Sequence, residues 1–117
     1  MNSLDLAKRI VDLADDRKAR DPVILELRAL TIVADYFVLF TGTSRTQVLG
    51  IANHIEEELS RVDLLPAQRE GDSDARWLLL DYGDVVVHVF QEDTRLFYNL
   101  EHLWNDAKRI TVDELAL

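Results

Sequence analysis

The strongest constraint in this sequence is a β-hairpin pattern spanning residues 77–90. Two runs rich in apolar and β-branched residues flank a short Asp–Tyr–Gly–Asp turn, and Gly83 can supply the positive φ that a tight turn requires. With Tyr82 and Gly83 as the loop, the pattern predicts that Trp77 pairs with His88. The fold must therefore contain at least one antiparallel pair of strands.

The two faces of this hairpin differ in chemistry, because side chains alternate across a strand. The aliphatic face, which must lie on a core, comprises Leu78, Leu80, Val85, Val87 and Val89. The mixed face comprises Trp77, Leu79, Asp81, Asp84, Val86, His88 and Phe90. Its large apolar, acidic and imidazole groups suit a contact surface, and equally a face covered by a second helix layer. Both interpretations remain open at this point.

Composition limits the setting in which the chain works. Its 117 residues are 48% hydrophobic, which fits one globular domain with a single core. The absence of cysteine suits a reducing cytoplasm, and the chain has no apolar run long enough to span a membrane. An early acid and no long apolar run at the N-terminus argue against a secretory signal. A net charge of −9 disfavours nucleic acid as the main partner and favours a basic protein.

Helical and extended periods alternate along the chain, which predicts an α/β fold. The expected architecture is a single domain with a mixed sheet of about five strands and flanking helices, occupying residues 1–107. Residues 108–117 are expected to form a short C-terminal tail. The predicted elements in chain order are a helix through Leu6–Ala14, strands at Val23–Leu27 and Tyr36–Phe40, a helix through Val48–Leu59, a weak strand at Leu65–Arg69, the hairpin, and a helix from Glu92 to about Ala107. The last helix has acids, including Asp93, at its N-terminus, and its apolar stripe comprises Leu96, Phe97, Leu100, Leu103 and Trp104.

One junction could carry chemistry, the turn Gly42-Thr43-Ser44 between a strand and a helix. It resembles the Gly–Ser turn of nucleotidyltransferases, which pair that turn with carboxylates two residues apart on a neighbouring strand. Here Asp81 and Asp84 stand three apart across a turn and do not project side by side. A capped helix start, with Ser44 and Gln47 forming a capping box, is the favoured interpretation. A nucleotidyltransferase-type enzyme using this turn and Asp81 is the alternative.

The remaining polar residues indicate no catalysis. His54, His88 and His102 are scattered, and no cysteine is present for a Cys–His nucleophile. His54 with Glu58 has a spacing that could bind metal, but such a pair more often forms a surface ion pair. The expectation is a protein that is not an enzyme, with no catalytic residue, cofactor or metal.

Several segments occur in an order and at a spacing that match a known family. They are Ala34–Val38, Thr41–Ser44 with Gln47 and Val48, Trp77–Glu92 and Tyr98–Trp104. Together they resemble the ribosomal silencing factor family, also called Iojap, and the likeness runs from about Leu4 to Ala107. Ile32 departs from the family pattern, which usually has a small polar residue there, and so does Gln68, where glycine is usual. Both lie outside the hairpin.

This resemblance implies a nucleotidyltransferase-like fold that lacks the catalytic carboxylates. It also implies a translational repressor that binds ribosomal protein fourteen of the large subunit. There it would sterically block joining of the small subunit and lower translation under nutrient limitation. Organellar relatives assist assembly of the large subunit.

The mixed hairpin face is the expected docking surface for that partner, with aromatic anchors at its centre and acids facing a basic protein. The same uncovered face could pair two copies of the free chain as a homodimer. The partner-binding residues expected there are Trp77, Asp81, Tyr82, Asp84, His88 and Phe90.

Overall fold

A six-stranded mixed sheet organises the computed structural model, which describes residues 2–110. The elements are α1 (Ser3–Asp15), β1 (Arg20–Glu26), β2 (Tyr36–Gly42), α2 (Arg45–Ser60), β3 (Gln68–Glu70), β4 (Trp77–Asp81), β5 (Val85–Gln91), α3 (Glu92–Tyr98), α4 (Leu100–Leu103) and β6 (Lys108–Ile110). The strand order is β3-β4-β5-β2-β1-β6. Only the central β2–β5 pair is parallel, and the other four strand pairs are antiparallel. The predicted single α/β domain with a mixed sheet is confirmed.

The sheet has one strand more than the expected five or so. Lys108–Ile110, placed by sequence in the C-terminal tail, pairs antiparallel with β1 and forms an edge of the sheet. The last seven positions of the predicted tail, 111–117, lie outside the described residues. The likeness to nucleotidyltransferases stays a prediction.

One face of the sheet carries the main core, against α1 and α2. All five residues of the predicted aliphatic hairpin face are buried there, each at most 3% exposed. Helix α1 contributes Leu6 and Ile10 to the same core, and α2 contributes Ile51 and Ile55. The predicted orientation of the hairpin is therefore confirmed. No helix within residues 2–110 is long and apolar enough to cross a membrane.

The predicted hairpin register is wrong by two residues. Trp77 lies opposite Phe90 instead of His88, and the Tyr82 N–H closes the turn on the carbonyl of Val85. Gly83, with φ of 84°, and the residue after it form the loop. The Asp84 carbonyl accepts hydrogen bonds from two backbone N–H groups at the start of β2, and this contact was not visible in the turn sequence. A shift of two preserves both faces, because strand side chains alternate with period two.

Within residues 2–110, the second face of the sheet is covered in part, by α3 and α4. A smaller core lies there, built around Leu25, Leu39, Phe90 and Leu100. The sequence predicted one long helix from Glu92, but the chain breaks at Asn99, which adopts the left-handed conformation with φ of 47°. Because of this break, much of the predicted apolar stripe does not reach the core.

Replacing Val87 by Asp should test the main core. Val87 is fully buried in the central sheet, so an unpaired carboxylate there should lower the free energy of unfolding by at least about 3 kcal/mol. Val62→Asp is the control, since Val62 is 60% exposed and should cost less than about 1 kcal/mol. Chemical denaturation of both variants measures the difference. Equal stability of Val87→Asp and the parent would show that the assignment of the two faces is wrong.

Candidate functional site

The most distinctive surface of the protein is a groove lined by aromatic rings where β4 meets α3. The Trp77 ring lies 4.8 Å from that of Tyr98, and the Tyr98 ring lies 5.1 Å from that of Phe97 (centroid distances). The groove encloses about 810 Å³. We call this surface the aromatic groove; its lining residues are Glu70, Gly71, Asp72, Arg76, Trp77, Leu79, Asp93, Thr94, Phe97 and Tyr98.

The apolar groups of this surface are open to solvent. Phe97 is 80% exposed and Tyr98 is 51% exposed, and Leu96, next to Phe97 in α3, is also exposed. A contiguous exposed apolar patch is uncommon on a monomeric protein and typically marks an interaction site. The helix that carries these side chains ends directly after Tyr98, where Asn99 adopts the left-handed backbone conformation.

A buried histidine supports the groove from beneath. The Trp77 indole N–H donates a hydrogen bond to Nδ1 of His88 at 3.0 Å, so this nitrogen is the acceptor and the neutral ring carries its proton on Nε2. His88 is only 3% exposed, and its ring stacks on Phe90 and meets the edge of Phe37. Burial lowers the pKa of His88 to about 4. The histidine therefore stays neutral at physiological pH and fixes the orientation of Trp77.

Charge surrounds the aromatic centre of the groove. Three carboxylates, from Glu70, Asp72 and Asp93, line it with one cation, Arg76. These four side chains are exposed, so they occupy the rim of the surface. An apolar centre with a charged rim is the usual layout of a protein–protein interface.

The loop that forms one wall of the groove is fixed by hydrogen bonds from two neighbouring elements. The Gln91 amide donates to the carbonyls of Asp74 and Ala75 at 3.0 and 3.3 Å, and the Arg45 guanidinium donates to the carbonyl of Ser73. Gly71 is needed for close approach, because a Cβ there would lie 2.0 Å from a methyl carbon of Leu78. The wall is thus held in place before any partner arrives.

The predicted site residues separate into two groups. Trp77, His88 and Phe90 cluster at the groove, but His88 and Phe90 are 3% and 1% exposed, so they support Trp77 instead of facing a partner. This corrects their expected role as contact residues. The helix-layer interpretation therefore holds for this part of the mixed face, and Trp77 is left partly exposed at its border.

The other three predicted residues lie at the hairpin tip, away from the groove. Asp81 is four residues along the strand from Trp77, which is a separation of roughly 13 Å. Its carboxylate accepts a hydrogen bond from the Gly83 N–H at 2.8 Å. Tyr82 packs against the core on the side of α1 and α2, where burial raises its pKa to about 12. Asp84 is exposed in the turn. Docking through these three stays a prediction.

The Gly42-Thr43-Ser44 turn is built as a helix cap. The Ser44 hydroxyl accepts from the Gln47 N–H at 3.1 Å, and the Gln47 side chain accepts from the Thr43 N–H at 2.6 Å. Because β2 and β5 are parallel, with Gly42 opposite Gln91, this turn and Asp81 lie at opposite ends of the sheet, about 20 Å apart. Among residues 2–110, no group of three or more metal-ligating side chains comes together.

Comparison with known proteins identifies the family. The family model described as "Ribosomal silencing factor during starvation" matches residues 1–117. The chain belongs to this family. Ribosomal silencing factor RsfS of Bacillus subtilis is 41% identical over 113 residues, which cover 97% of this chain and 96% of that protein.

Two further relatives of this silencing factor are a bacterial protein of known structure and a mouse protein. A crystal structure of a protein from Chromobacterium violaceum superposes with a TM-score of 0.86 at 31% identity, covering 90% of this chain and 88% of that one. The mouse protein named "Mitochondrial assembly of ribosomal large subunit protein 1" is 28% identical over 92% of this chain and 47% of its own length. The predicted α/β fold class and the family resemblance are both confirmed.

Sequence reasoning missed the half of the groove that comes from α3 in this silencing factor. Phe97 was assigned to a helix stripe, and its neighbour Tyr98 was noted only within the family resemblance. Asp93 was assigned to a helix N-terminus. The one available signal was Asn99, since asparagine tolerates the left-handed conformation that ends a helix.

The buried histidine should make stability depend on pH. His88 binds a proton near pH 6.5 when unfolded and only near pH 4 when folded, so stability is lost as pH falls through this window. Between pH 7.5 and pH 5 the loss attributable to this group is about 2 kcal/mol. Denaturant unfolding of the parent and His88→Phe at both pH values isolates it, because other groups titrate alike in the two proteins. Identical pH dependence would contradict a buried neutral histidine.

Proposed function

We propose that this silencing factor is a non-catalytic translational repressor of the cytoplasm. It docks through the aromatic groove on ribosomal protein fourteen of the large subunit and sterically blocks joining of the small subunit, which lowers translation under nutrient limitation. The observation that carries the proposal is the exposed groove itself, in which Trp77, Phe97 and Tyr98 form an apolar centre inside an acidic rim.

The aromatic centre supplies affinity in this proposal. Burying exposed apolar area favours association, and tryptophan and tyrosine dominate interface energetics. Trp77 is already oriented by His88, so little side-chain freedom is lost on binding. Phe97 is more exposed to solvent than the other two aromatic rings of the groove, and it would enter a pocket on the partner.

The acidic rim supplies orientation and rate. A chain with net charge −9 is attracted to a basic ribosomal protein, and rim carboxylates such as Glu70 and Asp93 face its Lys and Arg side chains. Such rim pairs are screened by salt and change association rates more than affinity.

The names of the relatives support a ribosomal partner. The Bacillus subtilis protein is named a ribosomal silencing factor, and the name of the mouse protein specifies assembly of the large subunit. A body whose Cα atoms extend over 34 × 34 × 28 Å, held on the face that meets the small subunit, occludes that face without any chemical step. When no ribosome is present, two copies could pair through the same groove.

Docking should be sensitive to two aromatic substitutions. Trp77→Ala and Phe97→Ala each remove an apolar anchor and should weaken binding to purified large subunits by about 2 kcal/mol, which is roughly thirtyfold. Affinity is measured by co-sedimentation, and each variant is melted from the same preparation, because Trp77 also packs on Phe90.

The matched control for this pair is Ile32→Ala. Ile32 is fully exposed and follows β1, at the end of the sheet opposite the groove. The substitution therefore removes comparable apolar area from a surface outside the groove. It should bind at parental affinity. If Phe97→Ala and Trp77→Ala stay folded and also bind like the parent, the groove is not the docking surface.

The enzyme alternative predicts nucleotide binding, which we expect to be absent. The Gly42-Thr43-Ser44 turn and Asp81 lie at opposite ends of the sheet, so they cannot hold one triphosphate and its metal together. Nucleoside triphosphate with magnesium should bind no better than about millimolar, which corresponds to a binding free energy of about −4 kcal/mol. A calorimetric titration that gives micromolar affinity, abolished by Asp81→Asn, would revive the enzyme.

A further inference from the structure

Helix α3 is attached to the domain in an unusual way. Within Glu92–Tyr98, all of which the structure describes, Arg95 is the one buried residue, at 8% exposure. The neighbouring apolar side chains, Leu96, Phe97 and Tyr98, are all exposed. A seven-residue helix is too short to be stable alone and depends on tertiary contacts. For α3 the buried contact is a guanidinium group.

The guanidinium of Arg95 links α3 to three other elements, β2, β1 and α4. Nη1 donates to the Thr41 hydroxyl at the end of β2 at 2.9 Å and to the Asp21 carbonyl in β1 at 2.7 Å. Nε and Nη2 both donate to Oε2 of Glu101 in α4, at 3.3 and 3.1 Å. The planar fork of arginine suits such a multiple contact, which a lysine ammonium cannot reproduce.

The sheet is shaped locally to receive this side chain. Strand β1 has an irregularity between Arg20 and Val23, where Asp21 adopts a positive φ of 48°. An irregularity of this kind removes a carbonyl from the regular ladder and re-aims it. The Asp21 carbonyl therefore accepts from Arg95 instead of from a neighbouring strand.

This contact determines where two rings of the aromatic groove lie. Arg95 and Tyr98 are three residues apart on one helix, so fixing the arginine fixes the turn that presents Phe97 and Tyr98. Glu101 continues the link across Asn99 and ties α4 to the same point. On the other side of the groove, Trp77 belongs to the sheet and is held by His88.

We infer that Arg95, held by Glu101, is the positioning residue that brings Phe97 and Tyr98 against Trp77 and so completes the docking surface. The inference rests on the proposed docking function. A polar attachment is needed because every large apolar side chain of α3 is committed to the exposed surface. Arg95 itself is buried and does not touch the partner.

The test uses Arg95→Met, which keeps an unbranched side chain and removes all four hydrogen bonds. Two measurements are made on the full chain: the nuclear Overhauser contact between the Trp77 and Tyr98 rings in the free protein, and affinity for purified large subunits. We expect the ring contact to be lost and the affinity to fall tenfold or more. Amides of β5 should remain protected from hydrogen exchange while those of α3 lose protection.

Two further variants make the outcome specific. Arg95→Lys should recover only part of the affinity, since one ammonium cannot bind Thr41, Asp21 and Glu101 together. Arg61→Met is the matched control: Arg61 pairs with Glu57 and Glu58 on the exposed end of α2, so its loss should change neither measurement.

The inference is overturned if Arg95→Met keeps the ring contact, or loses it and still binds like the parent. If Arg95→Met unfolds, Glu101→Gln replaces it, because the Gln amide oxygen can still accept a hydrogen bond from Arg95 while the ion pair to α4 is lost. If the hydrogen exchange of the α3 amides is then unchanged in Glu101→Gln, Arg95 is an ordinary structural residue and does not position α3. Should Trp77→Ala bind like the parent, the docking proposal fails, and the ring contact in free protein still tests whether Arg95 positions α3.

Discussion

The parallel pairing of β2 with β5 is the constraint on which the rest of this structure depends. It places both strands in the centre of the sheet, where β5 is buried on both faces from Val85 to Phe90. It also puts the carboxyl ends of the two strands at the same end of the sheet, so α2 and α3 start side by side. The tip of the β4–β5 hairpin therefore lies at the opposite end. This single arrangement separates Asp81 from the Gly42 turn and brings Trp77 within reach of Tyr98.

The two faces of the sheet are stabilised by different physics. On the α1–α2 face, aliphatic side chains fill a continuous core, and burial of apolar area is the main stabilising term. On the other face the covering helices are short, and polar contacts contribute much of the attachment. These contacts are the hydrogen bonds from Trp77 to His88 and from Arg95 to Glu101. A face held in this way can leave its apolar side chains exposed and still keep a defined shape.

The sequence was sufficient for the parts of the fold that depend on local periodicity. Alternation with period two assigned Val87 and Leu80 to the core, and a mixed sheet followed from alternating helices and strands. The register was missed because the turn is set by a tertiary contact, the two N–H groups that bond the Asp84 carbonyl. The six-strand count was missed because three-residue strands such as Lys108–Ile110 are held by their neighbour, with little signal of their own.

The aromatic groove could be predicted only in part from the sequence, for the same kind of reason. Trp77 was found because a tryptophan on a mixed strand face is informative. Phe97 was not, because a helical apolar stripe predicts an apolar surface but not what covers it. What covers the stripe depends on tertiary contacts and on the break at Asn99, and a single asparagine permits a left-handed residue without requiring one.

The function proposed above, steric repression, requires a rigid surface more than it requires reactive groups. Affinity rises when side chains are fixed before binding, because their rotational freedom has already been given up on folding. The aromatic groove meets this condition from both sides: the indole of Trp77 is locked by a buried neutral histidine, and the Tyr98 ring is presented by a helix anchored through a guanidinium. His88 and Arg95 are both buried and hold the groove in shape through hydrogen bonds, without facing solvent themselves.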